Sequence, residues 1–196
     1  SDVPGDSTTP VAPALAAGDV AVEPSGDALV SDWRTGALLR ATAGSDTLRV
    51  VLPPGTLGSP QGIVPTADGR GAWVADYALG LLYVDLEGRT ARVLEAPTTL
   101  VGSDALLADG DRLVVVQSGV APERVLRLTP APDRSRIEDA EVLLAAHPDF
   151  AEPTGATWAD GRLLLVANGQ WSHFAGGEVR DAEALRGPIV LEVETR

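Results

Sequence analysis

The sequence predicts an all-β protein, a β-propeller of about four blades. Three observations lead there: an internal repeat, a turn glycine at the same place in each repeat, and a scarcity of helical pattern. Each repeat reads as an apolar strand, a Gly turn, a second apolar strand, a polar break and a third strand. The first runs from Asp19 through Gly26 to Asp32-Trp33, then Gly36 to Arg40. The second runs from Pro60 through Asp68-Gly69 to Asp76-Tyr77, then Gly80 to Asp85. The third runs from Asp104 through Asp109-Gly110 to Gln117-Ser118, then Arg124 to Leu128. The fourth runs from Pro153 through Asp160-Gly161 to Asn168, then Pro188 to Val193.

The turn glycines at 26, 69, 110 and 161 are spaced by 43, 41 and 51 residues. Short strands repeating every ~40–45 residues are the period of a propeller blade. Asp-Gly between apolar runs is the strongest local hairpin signal, because Gly takes the positive φ that such turns need. Fourth strands are expected at Leu48–Leu52, Ala91–Leu94 and Glu141–Ala145, and the long third interval is assigned to an insertion from Thr129 to Asp149. Only Asp181–Arg186 reads as a turn or two of helix. The expected blades cover approximately 18–56, 57–100, 101–149 and 150–196, and the Pro-, Ser-, Thr- and Ala-rich stretch 1–17 reads as a linker or extended outer strand. A β-sandwich is the alternative, but it does not explain matching turns in matching places.

Charge narrows the partners. There are 28 acidic and 15 basic residues, a net charge of −13, and every basic residue is arginine. Such a surface repels phosphate backbones and anionic headgroups, so neither nucleic acid nor membrane is expected as a partner. Metal cations and neutral or cationic small molecules are easier to bind. No apolar run approaches the ~18 residues of a membrane helix. With no cysteine there is no disulfide or thiolate metal site. The absence of methionine implies that Ser1 arises by processing, cleavage or truncation. The Ala, Gly, Pro, Arg, Val and Leu bias is that of a GC-rich bacterial genome, and leaves a secreted, periplasmic or cytoplasmic location open.

In a blade the first strand lines the central channel and the second runs antiparallel beside it. First-strand starts and second-strand ends therefore meet at one mouth of that channel. The starts are Asp19, Gln61, Asp104 and Thr154; the ends are Asp32, Asp76, Ser118 and Asn168. All are polar among apolar neighbours, and oxygen-rich groups of this kind suit a hard cation such as Ca²⁺ or Mg²⁺. Asp32 and Asp76 also fit the role of loop caps that accept backbone N–H bonds. Asp68, Asp109 and Asp160 belong to the turns of the opposite face. Of the four tryptophans, Trp73 and Trp158 read as blade packing, whereas Trp33 and Trp171, just past second strands, are candidate ligand platforms. His147 and His173 lie in loops with no His or Cys at metal-ligand spacing. Nucleophile-elbow, phosphate-loop and dinucleotide motifs are absent.

Longer stretches carry a resemblance. Val74-Ala75-Asp76-Tyr77, Gly102-Ser103-Asp104-Ala105-Leu106, Val116-Gln117-Ser118-Gly119, His147-Pro148-Asp149-Phe150 with Glu152-Pro153-Thr154, and Val166-Ala167-Asn168-Gly169-Gln170-Trp171 are together similar to one family. It is the bacterial branch of the gluconolactonase, senescence-marker-protein and luciferin-regenerating-enzyme-like propellers. The resemblance implies a six-bladed propeller of about 250 residues or more, of which this chain holds a four-blade portion. It implies a divalent cation, usually Ca²⁺, at the channel mouth and hydrolysis of sugar lactones or other esters. By position, Asp104 would be metal ligand and catalytic base, with Asn168 and Gln61 as neutral metal partners. The chain departs from the family pattern at Ala105 and Ser118, and an early-blade glutamate ligand has no counterpart. The reading is thus a metal-dependent lactonase-type hydrolase, with a non-catalytic binding or assembly propeller as the alternative. The expected partners are a small-molecule substrate or ligand, and missing blades or a second copy of the chain.

Overall fold

The computed structural model describes residues 15–195. Four antiparallel sheets follow one another along the chain in a four-blade β-propeller arrangement. The first holds β1 (Ala17–Val22), β2 (Ala28–Asp32), β3 (Ala37–Ala41) and β4 (Leu48–Leu52). The second holds β5 (Pro60–Pro65), β6 (Gly71–Asp76), β7 (Gly80–Asp85) and β8 (Thr90–Val93). The third holds β9 (Ser103–Asp109), β10 (Arg112–Gln117), β11 (Arg124–Pro130) and β12 (Ile137–Ala145). The fourth holds β13 (Ala156–Ala159), β14 (Arg162–Val166) and, after an insertion, β17 (Val190–Val193). The insertion carries a small hairpin, β15 (Phe174–Ala175) and β16 (Glu178–Val179). The expected linker or outer strand over 1–17 lies outside the described residues as far as residue 14.

Local chemistry sets the hairpins. Gly26, Gly69, Gly110 and Gly161 turn the first strand of each sheet into the second, with φ of 91°, 68°, 62° and 74°. L side chains avoid that region and glycine does not. Between the turns, alternate residues of a strand point to opposite faces. In β10, Leu113 and Val115 pack toward the second sheet, against Trp73, Ala75 and Leu81, while Val114 and Val116 pack toward the fourth, against Leu163 and Leu165. This middle strand is covered on both faces, so it reads as a continuous apolar run rather than an alternating one. A parallel layer of Leu29, Leu38 and Leu52 meets Ile63, Val74 and Val84 between the first two sheets.

The inner strands β1, β5, β9 and β13 pack side by side in that order, which brings their N-terminal ends to one rim. The approach is close where a Cβ on Gly62 would run into the backbone N of Leu106. Among the described residues, the first and fourth sheets do not pack together in the way that neighbouring sheets do. Their outward sides carry exposed Val20 and Val22 on β1 and exposed Val190 on β17.

The fourth sheet has three strands. Two expectations are corrected. The widened third interval, assigned to an insertion from Thr129 to Asp149, is taken up largely by the end of β11 and by β12, which starts at Ile137 rather than at the expected Glu141. Asp181–Arg186 contains a turn and no helix; the helical element among the described residues is one 3-10 turn, Trp171–His173.

Candidate functional site

At the rim where inner strands begin and second strands end, the four sheets enclose a cleft of about 340 Å³. The first sheet contributes Trp33, just past β2. The second contributes Ser59 and Gln61 at the start of β5 and Tyr77 just past β6. The third contributes Asp104 on β9 and Ser118 just past β10. The fourth contributes Glu152, in the loop before β13, and Trp171, in the insertion after β14. Trp33, Tyr77 and Ser118 hold one repeat position, the residue after the last one of the second strand. The three rings stay open to the cleft, with 45%, 41% and 59% of the surface of Trp33, Tyr77 and Trp171 exposed. Tyr77 and Trp171 are braced from behind by glycines. A Cβ on Gly119 would meet the Tyr77 ring at 2.8 Å, and one on Gly169 would meet the Trp171 Nε1 at 2.8 Å.

Asp104 is the central charged group. Burial pushes its carboxyl above the usual carboxylate range, and a hydrogen bond donated by the Thr154 hydroxyl opposes that shift only in part. Neutral hydrogen bonding leaves the ionised form without a counter-charge. Glu152 is the second carboxylate. Its Oε2 accepts the Ser172 N–H at 2.8 Å, which pins the segment that carries Trp171. Gln61 reaches Ser59, its Nε2 donating to Oγ at 3.3 Å. Behind Glu152 a smaller cleft of about 270 Å³ is lined by Glu123, Gln170, His173 and Arg186 among others.

The other residues expected at the channel mouth serve the scaffold. Asp76 accepts the backbone N–H groups of Gly58, Ser59, Ala78 and Leu79. Asp32 caps the equivalent turn. Burial raises its pKa, but bonds from the Thr35 hydroxyl and the N–H groups of Arg34, Thr35 and Ala16 outweigh that and hold it below the usual range. Asp19 ties β1 to β5, its Oδ2 accepting the Ile63 N–H at 2.8 Å. Thr154 reaches the site only through Asp104. Asn168 is turned into the insertion, donating to the Gly187 carbonyl at 2.8 Å and accepting the Ile189 N–H at 2.6 Å. On the opposite face Asp68 pairs with Arg134 and Asp109 with Arg127. Trp73 stacks edge-on to Tyr83, and Trp158 donates to the Ala108 carbonyl. The His147 Nδ1 accepts the Asp149 N–H within its own loop.

Of the proposed cation ligands Asp104, Asn168 and Gln61, then, only Asp104 and Gln61 line the cleft. Both polar atoms of Asn168 are already bonded to backbone. No group of three or more His, Cys, Asp or Glu side chains is gathered to hold a metal among the described residues. Ca²⁺ takes six to eight oxygens, of which Asp104 and Gln61 would supply a part. Ser59, Tyr77 and Glu152 were not among the expected site residues. Tyr77 had a legible signal, since it repeats the position of Trp33; Ser59 and Glu152 lie in loops whose direction the repeat does not specify.

No protein-family model matches the chain, and no curated protein sequence matches it. Solved structures with similar folds include the nidogen/laminin complex, with a TM-score of 0.66 and 20% identity over 79% of this chain. A catalytically inactive virginiamycin B lyase from Staphylococcus aureus with quinupristin gives 0.59 and 15% over 85%. Hydrazine synthase from Kuenenia stuttgartiensis gives 0.59 and 16% over 90%. At such identities the likeness is one of fold, and the fold is a β-propeller. The chain spans 58%, 51% and 50% of the length of those three chains. A lyase and a protein complex both stand among these similar propellers, so the arrangement serves catalysis in some proteins and binding in others.

Proposed function

We propose that this chain is the ligand-recognising part of a β-propeller, and that its channel-mouth cleft binds a small molecule. One observation carries the reading: residues from all four sheets converge on one cleft, whose lining holds three exposed aromatic rings and a partly desolvated carboxylate. Apolar walls with a few convergent polar groups and a perturbed titratable residue are the usual make-up of a binding site. The test is a thermal-shift panel of small neutral, cationic and anionic compounds, sugar lactones included, on the wild type and a Trp33→Ala/Trp171→Ala variant. Compounds that raise the wild-type Tm should lose that effect in the variant. A panel in which no compound separates the two proteins refutes the proposal.

A second reading keeps the lactonase-type hydrolase, and Asp104 favours it. A carboxyl raised by burial and set beside a cleft has the character of a general base. In this reading Asp104 takes a proton from water as that water attacks a lactone carbonyl, and the tetrahedral adduct then breaks its ring acyl C–O bond, the departing oxygen taking the proton back from Asp104 to leave the hydroxy acid, while Gln61 and Ser118 orient the substrate. The measurement is lactone hydrolysis by wild type and Asp104→Asn, with and without added Ca²⁺, alongside calcium calorimetry on both. Equal rates in the two proteins refute a catalytic Asp104; equal calcium affinity refutes Asp104 as a calcium ligand.

A further inference from the structure

We infer that the cleft selects an organic cation, an alkylammonium or quaternary ammonium group held between aromatic rings and carboxylates. The inference rests on reading the cleft as a ligand site and goes on to name the chemistry of the ligand. The lining supplies Trp33, Tyr77 and Trp171 as π-faces and Asp104 and Glu152 as carboxylates, with no Arg or His among the cleft residues. Aromatic faces attract a weakly hydrated cation through the ring quadrupole, Trp most strongly. A hard metal ion draws on oxygens alone and gains nothing comparable from the aromatic faces.

Two further observations separate a cation from a neutral ligand such as a sugar. Asp104 is half-buried in the cleft wall with a neutral hydroxyl as its partner, so a bound cation would supply the counter-charge that its ionised form lacks. The net charge of −13 draws cations toward the molecule and repels anions. Gly119 and Gly169 brace two of the rings, so those rings need little reordering on binding.

The experiment uses the full chain and the indole N–H signals of its four tryptophans in nitrogen–proton correlation spectra. The probes are tetramethylammonium, tert-butanol as its neutral near-isostere, and methyl glucoside, all at matched ionic strength. Tetramethylammonium should shift the Trp33 and Trp171 signals saturably. Trp73 is packed in the core and Trp158 is bonded on the far side, so their signals should stay still. Trp171→Ala and Asp104→Asn should each weaken binding roughly tenfold, the scale of one ring–cation or carboxylate–cation contact. Binding of tert-butanol or methyl glucoside as tight as that of tetramethylammonium overturns the cation selectivity and leaves the cleft reading standing. No response to any of the three also overturns it, and the thermal-shift panel then decides the cleft reading by itself.

Discussion

Asp76 gives the sharpest account of how scaffold chemistry holds the cleft open. Its side chain has no exposed surface, and its carboxylate gathers four backbone donors. Oδ2 accepts Gly58 N–H at 2.8 Å; Oδ1 accepts Ser59 at 2.9 Å, Ala78 at 2.9 Å and Leu79 at 3.0 Å. Asp76→Ala deprives all four of their acceptor. A buried donor left unsatisfied costs ~1–3 kcal/mol. Taking the low end for each, because some will relax toward water, the variant loses about 4 kcal/mol. That is a large share of the ~5–15 kcal/mol that holds a typical domain together. Asp76→Asn keeps an oxygen for the three bonds on Oδ1 but sets an amide N–H₂ against Gly58, so its loss should be about 1–3 kcal/mol. Urea unfolding followed by tryptophan fluorescence measures both. Ser59 and Tyr77 sit within this cap, joined by a Tyr77 N–H to Ser59 carbonyl bond of 2.9 Å, so the alanine variant should also blunt any ligand response. A loss below about 1 kcal/mol for alanine, or equal losses for alanine and asparagine, would refute the cap reasoning.

Asp104 should behave in the opposite way. Its folded pKa lies above the ordinary 3.8, so the native state holds the proton more tightly than the unfolded chain. Stability is therefore lost as pH rises from the ordinary value through the raised one. Asp104→Asn removes that loss, and its stability relative to wild type should climb across the same window and then level off. A flat difference in pH-resolved urea unfolding would contradict the desolvation. The uncovered outer faces lead to a further expectation: exposed Val20, Val22 and Val190 should drive association with further blades or, in the isolated chain, with a second copy. Sedimentation should show mass above the monomer that Val20→Asp and Val190→Asp reduce; a strictly monomeric wild type would refute it.

The fold was legible because its determinants are local. Period-two strands and turn glycines act within a few residues of themselves, and Leu48–Leu52 was placed to the residue from its apolar pattern alone. The 3-10 turn at Trp171–His173 was not legible. It is held by Glu152, whose Oε2 accepts Ser172 N–H across 20 residues of chain, and it begins at Gln170, a non-glycine residue with φ of 55°. Nor was the insertion between β14 and β17 legible, since it is clasped by Asn168 and Gln170.

By itself, the sequence determined the blade period, the hairpin turns and the ring of polar residues at one rim. It could not sort that ring, because Asp32, Asp76 and Asp104 look alike as single carboxylates beside apolar strands. Tertiary structure decided among them through the donors that other parts of the chain bring close. A turn and the segment 17 and 18 residues before it deliver four N–H groups to Asp76, which makes it a cap. Asp104 accepts a hydrogen bond from one hydroxyl, that of Thr154, and is left partly desolvated in the lining of the cleft. A carboxylate saturated by backbone donors has nothing left for a ligand, whereas one that burial has deprived of partners still needs a counter-charge.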